Sequence, residues 1–274
     1  MGDVGAALDK LVKLFSELPQ VEAVALGGSR SGAHADAASD FDLYVCTNEV
    51  ILPETRRDLV QQLGGASVDN LGHDYFGGGD EWLDAETGGH FDAMYFGLEF
   101  FREQVERPLK HHQPSLGYTT AFAYTVNRSR VLYDPQGKFA ALQEMTSAPY
   151  PEALREAIVR YNHPLLRTTI SSYLAQLSKA VTRHDLVSAN HRLGALLASY
   201  FDILFAVNRA LHPGEKQLVR LAGELPSLPG AFEQSVTEAL SATGDELLSA
   251  VTRQLDALDA WLVGEGFSLD GSLP

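Results

Sequence analysis

The segment Ser39-Asp40-Phe41-Asp42-Leu43-Tyr44-Val45 constrains this chain more than any other, because polar and apolar residues alternate cleanly along it. Successive side chains of a strand point to opposite faces. Phe41, Leu43 and Val45 therefore face a core, while Asp40 and Asp42 share the other side. Upstream, Val21-Glu22-Ala23-Val24-Ala25-Leu26 is a short apolar run that ends in Gly27-Gly28-Ser29. That order predicts a strand running into a tight loop.

Around these strands the first half reads as mixed α and β. Ala7, Leu8, Leu11, Leu14, Phe15 and Leu18 recur at helical spacing and predict an amphipathic helix over 4–18, stopped by Pro19. A second helix is expected over 53–63. Residues 64–89 carry Gly64, Gly65, Gly77, Gly78, Gly79, Gly88 and Gly89 and read as loops around weak strands. His90 to Phe96 is a further strand. After about residue 145 the pattern becomes helical throughout. Its clearest stripe joins Leu193, Leu196, Leu197, Tyr200, Phe201, Leu204, Phe205 and Leu211, and a second joins Leu248, Val251, Leu255, Leu258 and Leu262. The expectation is an α+β protein: a small mixed sheet flanked by helices over 1–146, then an α-helical bundle over 147–274.

Charge and composition narrow the function. The formal net charge is −15, and residues 1–110 hold 8 Lys and Arg against 20 Asp and Glu. A nucleic-acid partner would need a basic footprint, so none is expected; a small or cationic substrate suits the acidic half better. Residues 151–220 reverse the balance, with 9 Lys and Arg against 5 Asp and Glu, so an anion could be met there. No apolar run approaches the roughly 20 residues that cross a bilayer, and the N-terminus lacks the order of a signal peptide. A cytoplasmic protein with no membrane partner is expected. The single Cys46 lies in an apolar strand pattern and predicts a buried, inert thiol. Of the histidines, His163, His184, His191 and His212 lack ligand spacing and suggest capping or surface roles.

Asp40 and Asp42 on one strand face repel one another, and a divalent cation relieves that repulsion. Magnesium, which bridges carboxylates to substrate phosphates, is the natural occupant. The same spacing also fits a solvated sheet face. The upstream loop favours the first reading: glycines let backbone approach a ligand, and N–H groups with the Ser29 hydroxyl can hold phosphate oxygens. No Gly-Lys-Ser/Thr follows, so this is not a Walker A loop, and it is not a Rossmann fingerprint.

Leu26-Gly27-Gly28-Ser29 followed by Asp40-Phe41-Asp42-Leu43 resembles the signature of the DNA polymerase β-like nucleotidyltransferase superfamily. The resemblance covers residues 21–45. It implies that Gly28 and Ser29 hold a nucleoside triphosphate and that Asp40 and Asp42 bind catalytic metal. The layout also resembles the antibiotic nucleotidyltransferases of aminoglycoside and lincosamide type, which place a helical bundle after this domain. A third carboxylate is expected on a neighbouring strand, and Asp92, inside apolar His90–Phe96, supplies it. Three carboxylates would hold two Mg²⁺ ions for an in-line displacement at an α-phosphate. Glu81, in Asp80-Glu81-Trp82, is the candidate general base, read as part of a glycine-rich loop. Arg30 and Lys216 are candidate phosphate contacts, Lys216 in the first turn of a helix after Leu211-His212-Pro213-Gly214-Glu215.

Three functions stay open. The first is transfer of a nucleoside monophosphate, AMP from ATP, to a hydroxyl of a small, cationic acceptor. The second is the same chemistry on a protein side chain, as in adenylylating antitoxins. The third is a non-catalytic nucleotide-binding regulator.

Overall fold

A computed structural model describes residues 3–28, 40–75 and 77–269. The protein is α+β, and the chain divides into two compact units. The first comprises residues 1–106 and 122–148, the second 107–121 and 149–274. Residues 107–121 thus group with the helical unit, a segment that a single cut near residue 146 does not separate.

In the first unit the described residues form one six-stranded sheet of order β3-β4-β5-β2-β1-β6. Its strands are β1 (Val21–Leu26), β2 (Phe41–Thr47), β3 (Ala66–His73), β4 (Gly79–Asp84), β5 (His90–Gly97) and β6 (Arg130–Tyr133). All neighbours run antiparallel except the central pair β2–β5, which is parallel. Parallel strands need a crossover between them. Here that crossover contains α2 (Pro53–Leu63) and the β3–β4 hairpin. Pro53 at the first helical position fixes a helical φ where no N–H is needed.

One face of the sheet is apolar. Phe41, Leu43 and Val45 of β2, with Phe91 and Ala93 of β5 and Trp82 of β4, pack against Leu8, Leu11 and Phe15 of α1 (Val4–Ser16) and Leu59, Val60 and Leu63 of α2. Asp3 caps α1 by accepting from the Gly5 N–H at 2.8 Å. The rings of Phe41, Phe91 and Trp82 stack in sequence, with centroids 4.9 and 5.3 Å apart. The opposite face is aromatic toward one end. There Tyr44 and Phe96 meet Phe100 and Phe101 of α3 (Leu98–Leu109), and Phe101 reaches Phe139 of α5 (Lys138–Ser147). Toward the other end the same face is acidic.

The glycine-rich stretch 64–89, expected as loops around weak strands, forms the two paired strands β3 and β4. Gly64 and Gly65 precede β3, Gly77 and Gly78 lie between β3 and β4, and Gly88 and Gly89 precede β5, while Gly72 and Gly79 fall within the strands. Cys46 is fully buried, and burial first, then the charges of Glu22 and Asp134, push its thiol pKa up to about 12.

The second unit is helical. Leu196, Tyr200, Ile203 and Leu204 of α8 (Leu186–Val207) are buried against α6 (Glu152–Arg167), α7 (Tyr173–Thr182), α10 (Phe232–Ser241) and α11 (Gly244–Gly264). α8 ends at Val207, and the next helix, α9 (Leu218–Gly223), begins only after an irregular segment. Lys216 therefore lies exposed before α9 and not in a first helical turn. Among the described residues no helix is long and apolar enough to cross a membrane.

His163 and His212 are not surface residues. His163 is buried, and its Nε2 lies 2.7 Å from Asp259 of α11. His212 is completely buried between the rings of Tyr118 and Phe205. Its Nδ1 accepts the Gly214 N–H at 3.1 Å, which assigns the proton to Nε2, and burial lowers its pKa to about 4.

Candidate active site

The parallel pairing of β2 and β5 sets Asp42 beside Asp92 as register partners. Both project from the face opposite the Phe41–Phe91 stack, since each stands one residue away from it. Asp92 Oδ1 is buried and has no hydrogen-bond partner among the described residues. Burial, followed by the charges of Asp42 and Glu81, raises the Asp92 pKa, and His73 and His90 act in the opposite sense. Two carboxylates held side by side, one with an unsatisfied buried oxygen, are a high-energy arrangement that a cation would relieve.

The glycines at the end of β1 are fitted to this pair. Gly28 adopts φ +62°, and a Cβ there would stand 1.7 Å from Asp42 Oδ2. A Cβ on Gly27 would stand 2.3 Å from the Tyr44 ring, and the Gly27 N–H donates to the Asp42 carbonyl at 2.8 Å. Only glycine lets backbone lie this close to the β2 side chains. Tyr44, two residues further along β2, is half-buried on the same face. Burial, then the charges of Asp42 and Asp92, push its pKa up to about 12, so it stays a neutral phenol.

Asp40 and Glu81 meet through a residue that the sequence pattern did not single out. His90, at the start of β5, brings Nδ1 to 2.6 Å from Asp40 Oδ1 and Nε2 to 2.9 Å from Glu81 Oε1. Burial works against a charged imidazole here, but the two carboxylate hydrogen bonds outweigh it and raise the His90 pKa. Glu81 lies within β4, opposite Asp92, and not in a loop. Its neighbour Asp80 points to the other face, buried, 3.4 Å from Arg56. The signal available in the sequence was spacing: His90 and Asp92 are two apart on one strand and must share a face.

The structure thus gathers Asp42, Asp92 and Gly28, and joins Asp40 to Glu81 through His90. Ser29 and Arg30 lie outside the described residues. Lys216 belongs to the second unit. Among the described residues no group of three or more His, Cys, Asp and Glu side chains is gathered closely enough to hold a metal ion as it stands. The donor chemistry nevertheless suits magnesium: hard carboxylate oxygens, one of them orphaned, under a glycine backbone.

The second unit holds a separate buried polar cluster. Asp202, inside α8, accepts from the Thr119 N–H at 2.9 Å, the Thr119 hydroxyl at 2.6 Å and Asn162 Nδ2 at 3.3 Å. Asn162 also accepts from the Gly117 N–H, and the Thr120 hydroxyl accepts from the His212 N–H. Burial raises the Asp202 pKa to about 7, despite the hydrogen bonds from Thr119 and the charge of Arg107. These residues pin segment 115–120 to α6 and α8.

Residues 119–218 match a family described as a domain of unknown function (DUF4037). No curated protein matches the chain. Among solved structures, a nucleotidyltransferase-like protein from Exiguobacterium sibiricum is similar at 11% identity and a TM-score of 0.48, over 96% of this chain and 77% of that one.

Proposed function

We propose that this protein is a magnesium-dependent nucleotidyltransferase that moves a nucleoside monophosphate, AMP from ATP, to a hydroxyl of a small acceptor. The observation that carries the reading is the Asp42–Asp92 pair, with its orphaned Asp92 oxygen, set against the Gly28 backbone. The sequence signature that includes Asp40 supports it independently.

Asp42, Asp92 and Asp40 would hold the magnesium. Bound there, it supplies charge neutralisation for the phosphate oxygens and for the attacking and leaving oxygens of an in-line displacement. The residues of the chain do the rest. Gly27 and Gly28, lacking side chains, let the backbone pack directly against Tyr44 and Asp42 beside the place a phosphate would take. Glu81 takes the proton of the acceptor hydroxyl as the new oxygen–phosphorus bond forms, and the bond between the α- and β-phosphates breaks, with pyrophosphate leaving. His90 Nε2 fixes the Glu81 carboxylate during that transfer. Tyr44 and the aromatic cluster behind it keep water from the floor of the site.

Incubation with α-labelled ATP, magnesium and a panel of small hydroxyl compounds tests the reading. Labelled AMP adducts and pyrophosphate in equal amounts are expected, and both should vanish in Asp92→Asn. Product formation undiminished in that variant would remove the assignment.

A further inference from the structure

Beyond the carboxylates, the same sheet face carries an aromatic platform. Strand register orders two rows across it. The first runs Asp42, Asp92, Glu81, Asn70 from β2 to β3, and the second runs Tyr44, Met94, Gly79, His73. Partners in register share a face, so His73 stands on the carboxylate side, one row from Glu81. Gly79 makes room for it: a Cβ on Gly79 would lie 2.5 Å from the His73 ring, so the imidazole rests on bare backbone. Tyr75 stacks on that imidazole, with centroids 5.7 Å apart and planes 9° from parallel. Tyr75 is 73% exposed, and His73 Nδ1 is buried with no hydrogen-bond partner among the described residues.

An exposed tyrosine held flat by a second ring presents a preformed stacking surface at low entropic cost. Its position decides what it stacks. The Gly27–Gly28 backbone ends β1, on the Asp42 side of the carboxylate row, whereas His73 and Tyr75 follow from β3, on the Glu81 side. In an in-line displacement the leaving pyrophosphate and the attacking oxygen stand on opposite sides of the α-phosphorus. Phosphates at the glycine backbone therefore put the acceptor toward Glu81 and the rings.

We infer that His73 and Tyr75 form an acceptor subsite for a planar ring, with Glu81 beside it to meet a hydroxyl or an amine carried on that ring. The inference rests on the nucleotidyltransferase reading for its direction, but not for the existence of the subsite. The carboxylates along the first row favour a ring bearing positive charge.

Tyramine serves as the probe and its cyclohexane analogue as the control, each followed by saturation-transfer-difference NMR on the full chain. Tyramine ring protons should receive saturation from the wild type, and the cyclohexane analogue at least fivefold less. Tyr75→Ala and Gly79→Ala should each cut the tyramine signal at least fivefold, and Tyr75→Phe should keep it. MgATP affinity should change less than twofold in Tyr75→Ala. Equal tyramine signals in the wild type and Tyr75→Ala would overturn the subsite. A loss of MgATP affinity in Tyr75→Ala as large as the loss of tyramine signal would instead assign the rings to the nucleobase and overturn the acceptor role. The tyramine experiment contains no nucleotide, so its failure is separate from failure of the nucleotidyltransferase reading.

Discussion

Asp42 on β2 and Asp92 on β5 are register partners across the parallel pair at the centre of the sheet, so neither carboxylate can be moved without moving a core strand. Phe41 and Phe91, one residue earlier on each strand, stack 4.9 Å apart on the buried face and lock that register. The repulsion between the carboxylates is thereby built into the fold. It follows that removing one charge should stabilise the ligand-free protein. In Asp92→Asn the midpoint of thermal unfolding without divalent cations is expected to rise by a few degrees, roughly the effect of 1 kcal/mol. Differential scanning calorimetry measures it, and a lower midpoint would argue against strain at this pair.

Gly28→Ala tests the cradle. A Cβ at φ +62° costs about 1 kcal/mol on its own, and here it would also collide with Asp42 Oδ2. The variant should lose about 1–3 kcal/mol in urea unfolding and should bind MgATP at least tenfold more weakly. Wild-type affinity would mean that the glycine backbone does not approach the nucleotide.

His90→Gln separates the two carboxylates that His90 bridges. The amide carries both donors on one nitrogen and does not span the two ring-nitrogen positions, so Asp40 and Glu81 lose their common anchor. In the reaction proposed above, kcat should fall tenfold or more, because the proton acceptor Glu81 and the metal-binding Asp40 both lose their positioning. A change confined to KM would contradict the role given to His90.

Much of the fold was legible in the sequence, and what was hidden has physical causes. β1 and α2 run over the residues their apolar spacing indicates, and β5 extends that expectation by one residue. The bounds of β3 were not legible because it is an outer strand whose side chains are mostly exposed, so it lacks alternation, and glycine turns bracket it. In the site, Asp42 and Asp92 announced themselves as carboxylates inside apolar strands. His90 did not, because its significance lies in two partners that only the folded sheet brings near. Asp202 was hidden more deeply: it interrupts an apolar helical stripe, and its partners Asn162 and Thr119 lie 40 and 83 residues away.

That buried aspartate yields a prediction about pH. A carboxyl whose pKa is raised to about 7 by burial binds protons more tightly folded than unfolded, so its contribution to stability is full below pH 4 and is lost as pH rises through 7. Arg107 offsets part of this, Tyr150 faces it as a neutral phenol, and the lowered pKa of His212 acts with the opposite sign, losing stability as pH falls from 6.5 through 4. Comparing wild type with Asp202→Asn, both in a Trp82→Phe background so that Trp261 reports the second unit, isolates the Asp202 share. Relative to the Asn variant, the wild type should lose stability between pH 4 and 7. Asp202→Ala should cost about 2–4 kcal/mol near pH 4, where it strands the Thr119 and Asn162 donors, and less as pH rises toward 7.

In the proposed reaction the Asp42–Asp92 face holds a divalent cation together with a nucleoside triphosphate. Titration of Mn²⁺ as a magnesium substitute, followed by electron paramagnetic resonance with and without ATP, tests it most directly. Wild-type protein should take up Mn²⁺, more tightly when ATP is present, and Asp42→Asn should lose that binding by a hundredfold or more. Equal Mn²⁺ uptake by the wild type and Asp42→Asn, with or without ATP, would contradict the claim.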